Sequence, residues 1–303
     1  MSQYLDGARN GKNECWRYLS AVCLILVMWQ VLGAMPTLGL CLALSLDNDP
    51  ETTLSASGPV GVSTTVSFIV LMLASLFFLT GIWIAVRGIH ARPLRSLITP
   101  AGRLDWKRLF QGFLVWGSIA SLTSLLEAFL YPGRYQLTLD LPRFIPFVFI
   151  ALLLVPIQTS TEELFFRGYL LQGFGLRLRS PWLLSLLSGV FFGLPHLLNP
   201  EASSNYFLMG LYYFAIGAVL AYMTLRDGRL ELALGMHAAN NLFSTLLANY
   251  AVTVLPSPSL FTIQELDPVF SVIAALVGLG IFVWIFLGPL AQRQETGSKN
   301  VTA

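Results

Sequence analysis

The sequence predicts an all-α integral membrane protein of about eight transmembrane helices, with both termini on the inner side. Three observations carry that expectation. Charged residues make up 11% of the 303-residue chain and hydrophobic ones 55%, with a mean hydropathy of +0.68; a water-soluble domain carries about 25% charged residues. Apolar windows near the ~20-residue length of a membrane span recur along the chain. The basic residues gather on alternate connections, as the positive-inside rule requires.

The elements follow in order. Residues 1–17 are polar and carry Arg9, Lys12 and Arg17. The apolar run behind them, 18–46, outlasts the roughly 7–15-residue core of a signal peptide, so a retained first helix is expected. Further helices are expected near 63–86, 108–130, 144–176, 181–198, 204–225, 230–248 and 268–290. The fourth is too long for a simple span, and Pro156 is placed to kink it. The fifth and seventh are short.

With both termini inside, 16 of the 18 Lys and Arg residues fall on inner segments, and only Arg134 and Arg143 fall outside. The outer loops at 46–61 and 252–268 are acidic, through Asp47, Asp49, Glu51, Glu265 and Asp267. The basic stretch 90–107 reads as an inner loop whose arginines and Trp106 can rest on anionic headgroups. Gly210, Gly217 and Ala221 form a small-residue stripe that lets helices approach closely. The chain divides into 1–143, with three helices and their loops, and 144–303, with a catalytic-type core, the last helix and a short polar tail from Arg293. Neither an internal repeat nor a soluble second domain is visible.

Some functions are excluded early. Net charge is +2, and no basic tract is interleaved with aromatics, so nucleic acid is not an expected partner. Cys15, Cys23 and Cys41 show neither CxxC nor zinc-ligand spacing and read as packing residues.

The chemistry-bearing residues are those that hydrocarbon makes expensive. Glu162, Glu163 and Arg167 interrupt a long apolar region. Glu163 and Arg167 lie four apart and share a helix face, so they can pair. Glu162 points about 100° away and has no obvious local partner. His196 follows Phe192 by four residues in Phe192-Gly-Leu-Pro-His196. His237 and Asn241 share a face in His237-Ala-Ala-Asn240-Asn241, with Asn240 as a possible addition. These groups come from the fourth, fifth and seventh helices. One cluster would satisfy them mutually, whereas three separate sites would each strand a polar group. Glu127, near the outer end of the third helix, reads as interfacial and hydrated.

The sequence has no GxSxG, HExxH, intramembrane Asp pair or Ser-His pairing on these helices. A carboxylate beside a histidine can hold and deprotonate a water, and a second histidine with an amide can donate to an oxyanion. Alternatively Glu162, His196 and His237 could hold a zinc ion with water in the open position. Both routes hydrolyse an acyl bond, with a peptide bond the expected substrate. Two other classes fit the same residues. One is a proton-coupled transporter using Glu162 and the histidines as a relay; the other is a catalytically silent scaffold or immunity protein.

One geometric condition is severe. On straight helices rising from the inner surface, His237 lies roughly 12 Å up and His196 roughly 25 Å up. Convergence needs a bent or tilted fifth helix, a buried 177–181 turn, or a re-entrant start to the seventh. A separation above about 12 Å would break the single site, because one water cannot reach both.

At these residues the sequence resembles the CPBP family, the CAAX-protease-and-bacteriocin-processing or Abi family, which includes the type II CAAX prenyl endopeptidases. Its pattern is EExxxR, then FxxxH, then HxxxN, matched by Glu162-Glu163-Leu-Phe-Phe-Arg167, Phe192 to His196 and His237 to Asn241. The resemblance covers roughly 150–247 and implies an intramembrane endopeptidase. In it Glu162 with His196 would activate the water, His237 and Asn241 would stabilise the oxyanion, and Glu163 and Arg167 would orient them. Members of the family are described both as metalloproteases and as metal-independent glutamate-type proteases. The expectation leans to the metal-free form, with Zn2+ as the alternative. The implied partners are a membrane-associated peptide or protein substrate and the lipid bilayer; the low cysteine count and the absence of a visible targeting peptide fit a bacterial plasma membrane.

Overall fold

The computed structural model describes residues 2–46, 52–55 and 58–289. The acidic residues Asp47, Asp49 and Glu51, and the polar tail with Arg293 and Lys299, lie outside them. Helices form at all eight expected windows. They are α2 (Cys15–Leu26) and α3 (Met35–Leu46), α4 (Thr64–Ile84), α5 (Trp106–Leu130), α6 (Leu141–Glu163), α8 (Pro181–His196), α9 (Tyr206–Asp227), α10 (Glu231–Leu242) and α11 (Pro268–Leu287). Two short helices, α1 (Ser2–Asp6) and α7 (Leu171–Phe174), complete the set. Six helical bodies among the described residues are long and apolar enough to cross a membrane. The 16-residue α8 and the 12-residue α10 are shorter.

The apolar surface explains the composition. Large side chains such as Leu114, Phe129, Phe149, Leu153 and Val277 point outward, where water would penalise them and lipid would not. Helix α10 is the opposite case. Every residue from Glu231 to Ala239 is buried, so it is an interior helix enclosed by its neighbours. That enclosure frees it to carry polar side chains. Trp116 and Phe78 pack in the same core as Phe165, Phe192 and Met236, so segments from both sides of residue 143 share one interior.

Close backbone approaches set the helix positions. A Cβ on Gly235 would meet the Leu109 carbonyl oxygen at 2.0 Å, and one on Gly112 the Leu232 carbonyl oxygen at 2.6 Å, so α5 and α10 touch main chain to main chain. A Cβ on Gly217 would meet Gly189 Cα at 2.9 Å, joining α8 to α9 through the predicted small-residue stripe.

Helix α6 continues through Pro156, and its regular pitch changes only later, in a π-helical segment at Leu164–Leu170. The expected kink is therefore replaced by a widened turn that begins directly after Glu163. At the other end of the bundle β3 (Tyr135–Leu137), β5 (Phe261–Ile263) and β4 (Ala248–Tyr250) form a small sheet in that order. A hairpin of β1 (Thr53–Ser55) and β2 (Gly58–Val60) follows α3.

Two sequence readings are corrected here. Glu127 is buried, not hydrated. The turn after α5 returns Arg134 to it at 2.8 Å and the Tyr135 hydroxyl at 2.7 Å. The 90–107 loop is partly interior, because His90, Arg92, Leu97 and Thr99 are all buried. Leu97 packs on Gly168, and the Ile98 carbonyl accepts from the Leu230 amide at 2.9 Å. The loop thus forms a floor under α10. Helix α1 closes this end: the Tyr4 hydroxyl reaches the Leu97 and Arg167 carbonyl oxygens at 2.8 and 3.0 Å.

Candidate active site

Glu163 and Arg167 have fully buried side chains and pair at 2.8 Å, as their spacing predicts. The same Glu163 oxygen, Oε1, also accepts from His237 Nδ1 at 2.7 Å. Arg167 lies with its guanidinium 4.1 Å over the Phe192 ring and donates to the Gly217 carbonyl at 3.4 Å. Two charges buried this deeply are tolerable only with such partners. Glu163 therefore bridges the arginine to a histidine on a distant helix.

Because a carboxylate only accepts, His237 donates through Nδ1, and its Nε2 faces the cavity. That nitrogen lies 3.7 Å from Glu162 Oε2. The gap is too wide for a direct hydrogen bond and suits a single bridging water, about 2.8 Å from each group. Glu162 Oε2 is buried and has no hydrogen-bond partner among the described residues.

The other Glu162 oxygen ends a chain of donors. The Trp116 indole donates to Asn240 Oδ1 at 3.1 Å, Asn240 Nδ2 to Asn241 Oδ1 at 3.1 Å, and Asn241 Nδ2 to Gln158 Oε1 at 3.1 Å. Gln158 Nε2 then donates to Glu162 Oε1. An indole can only donate and a carboxylate can only accept, so both ends fix the direction of all three amides. Gln158, one helical turn before Glu162, is the residue that sequence reasoning missed. Its only signal was an amide inside the apolar run of α6.

His196 closes the site from α8. Its Nδ1 donates to the Phe192 carbonyl at 2.7 Å, which leaves Nε2 as the acceptor in the neutral ring. The Phe192 ring lies 4.3 Å from His196 and 5.9 Å from His237, centroid to centroid, so the two imidazoles are within about 10 Å of each other. They line one cavity of ≈ 440 Å³ together with Gln158, Glu162, Asn240 and Asn241. Of the six expected site residues, Glu163 and Arg167 stand behind the cavity wall and the other four line it.

The depth problem is met by the floor under α10. The helix starts at buried Glu231 against the 90–105 loop, and both His237 and His196, the latter at the C-terminal end of α8, lie within reach of the Phe192 ring. Among the described residues no three of His, Cys, Asp and Glu converge as a metal-holding group.

An apolar helix bundle enclosing a Glu-His-Asn cavity defines a multi-pass membrane protein with a buried polar centre. Residues 142–243, which contain all six expected site residues, match the family model described as type II CAAX prenyl endopeptidase Rce1-like. Over 290 residues the chain is 36% identical to YyaK of Bacillus subtilis strain 168, an uncharacterized protein, covering 94% of this chain and 96% of that one. The chain belongs to the Rce1-like CAAX protease family.

Proposed function

We propose that the protein is an intramembrane endopeptidase in which Glu162 is the general base. The observation that carries this reading is the unpartnered Glu162 Oε2, turned to His237 Nε2 across 3.7 Å inside a shared cavity. A water there donates one hydrogen to Glu162 and the other to His196 Nε2 and accepts from His237 Nε2, whose ring then carries hydrogen on both nitrogens, so the water's second lone pair faces an incoming carbonyl carbon. As the water attacks, its proton passes to Glu162, and the carbonyl π electrons move to oxygen. The same His237 Nε2–H, on a ring whose Nδ1–H is held by Glu163, and the remaining Asn241 amide hydrogen donate to that oxyanion as it forms. Glu162 then returns its proton to the leaving amine, and the C–N bond breaks.

The reading uses no metal step, and a zinc ion held by Glu162, His196 and His237 is its alternative. The substrate is a membrane-associated peptide or protein, and a bacterial plasma membrane is the proposed location. Purified protein in lipid nanodiscs tests the reading against a panel of membrane peptides, with Glu162→Gln and His196→Ala beside the wild type. Loss of about 10²-fold or more in cleavage rate is expected for each at unchanged protein level. Equal cleavage by all three proteins would sink it. Metal analysis of the purified protein, with cleavage measured after chelation, decides between the water-only and zinc forms.

A further inference from the structure

Glu201 lies five residues beyond His196, in a 3₁₀ turn at Pro200–Ser204 between α8 and α9. One of its oxygens, Oε1, accepts from the Thr253 hydroxyl and from the Val254 amide, each at 2.8 Å. That single oxygen completes a clip between this turn and the 251–260 loop. The second oxygen, Oε2, is buried and has no partner among the described residues. Glu201 lines the same cavity as Glu162, His196 and His237. Tyr212, Tyr213 and Tyr250 line it too, and neither lysine nor arginine does. Glu201 is half-buried with its Oε2 enclosed, and none of the ion pairs among the described residues supplies it with a cation. A carboxylate oxygen left without a donor, in a cavity that also presents tyrosine rings, is a surface that an ammonium or guanidinium group fills.

We propose that Glu201 is a specificity site that binds a lysine or arginine side chain of the substrate while the neighbouring peptide bond lies at Glu162. The inference rests on the endopeptidase reading for the second half of that statement only. Its first half concerns binding and is tested without turnover. The probes are three fluorophore-labelled, amidated peptides, Leu-Leu-Xaa-Leu-Leu, in which Xaa is lysine, norleucine or glutamate. Their affinities for the full-length protein in nanodiscs are measured by fluorescence anisotropy, using Glu162→Gln so that nothing is cleaved.

The lysine peptide is expected to bind about tenfold or more tighter than the norleucine peptide, the scale of one charge-assisted hydrogen bond. The glutamate peptide is expected to bind weakest. This comparison needs no change at Glu201. Added Glu201→Gln, which keeps the Oε1 acceptor for Thr253 and Val254, is expected to bring the three affinities together, and Glu201→Lys to reverse their order. Equal affinities for the lysine and norleucine peptides, or a lysine preference that survives Glu201→Gln, would overturn the proposal. Neither result bears on whether Glu162 is a general base, because that is read from cleavage by protein with Glu162 intact.

Discussion

Glu163 and Glu162 are adjacent in sequence and opposite in circumstance. Glu163 holds Arg167 and His237 through one oxygen with no access to solvent. Removing it strands a buried guanidinium, so Glu163→Ala is expected to destabilise the protein by about 3–5 kcal/mol. Glu162→Gln keeps a polar group in the cavity and is expected to melt close to the wild type while losing cleavage. Thermal unfolding of the two variants in detergent checks the contrast; similar losses of stability would mean that Glu162 is also structural. Gln158 acts through Glu162. Gln158→Leu breaks the donor chain from Trp116 and is expected to lower kcat about tenfold, with KM little changed, in peptide-cleavage assays. The Glu162, Glu163 and Arg167 set was legible because charge in an apolar run is conspicuous. Gln158 was not, because a single amide in such a run has several innocent explanations. Glu127 was misread because its partners, Arg134 and Tyr135, arrive through a turn that helical spacing cannot anticipate.

At the level of elements, the site depends on where α10 starts. Gly235 lets α10 lie against the α5 backbone two residues before His237. Gly235→Ala would drive a methyl into the Leu109 carbonyl and is expected to cost about 1–3 kcal/mol and most of the cleavage activity, as read by melting and peptide assay. The floor beneath α10 has its own dependence on pH. His90 is buried between the Lys12 carbonyl, which accepts from Nδ1 at 2.7 Å, and the Tyr169 hydroxyl, which donates to Nε2 at 2.8 Å. Burial pushes its imidazole below the ordinary value of 6.5. The unfolded chain therefore binds the proton more readily than the folded one. The associated stability is complete above that ordinary value and is lost as pH falls towards the depressed one. Melting temperature is expected to fall between about pH 7.5 and about pH 5, and His90→Gln to flatten that slope. The helices themselves were legible from apolar windows. The 90–107 floor was not, because a run rich in arginine reads as exposed, and only the packing of Leu97 on Gly168 and of Arg92 on Gln172 shows otherwise.

For the whole molecule, the low charge content and the outward-facing leucines and phenylalanines agree on a membrane environment, while the orientation rests on the basic residues alone. The two ends of the bundle differ in chemistry. One gathers α1, the 90–107 floor, Arg177, Arg179 and the Arg108–Asp227 and Arg229–Asp105 pairs. The other gathers the three-stranded sheet, Glu127, Arg134, Asp140 and Asp267. On the positive-inside rule the first end is expected to face the cytoplasm. The three cysteines of the chain make the test clean, since replacing Cys15, Cys23 and Cys41 by serine or alanine gives a thiol-free background. Lys107→Cys and Arg143→Cys then report opposite ends. In intact cells a membrane-impermeant maleimide is expected to label Arg143→Cys and to leave Lys107→Cys unlabelled until the cells are opened. The reverse pattern would invert the topology and put the Pro200–Ser204 turn with Glu201 on the cytoplasmic side, which would change the pool of peptides able to reach Glu162 even though every distance within the site stayed the same.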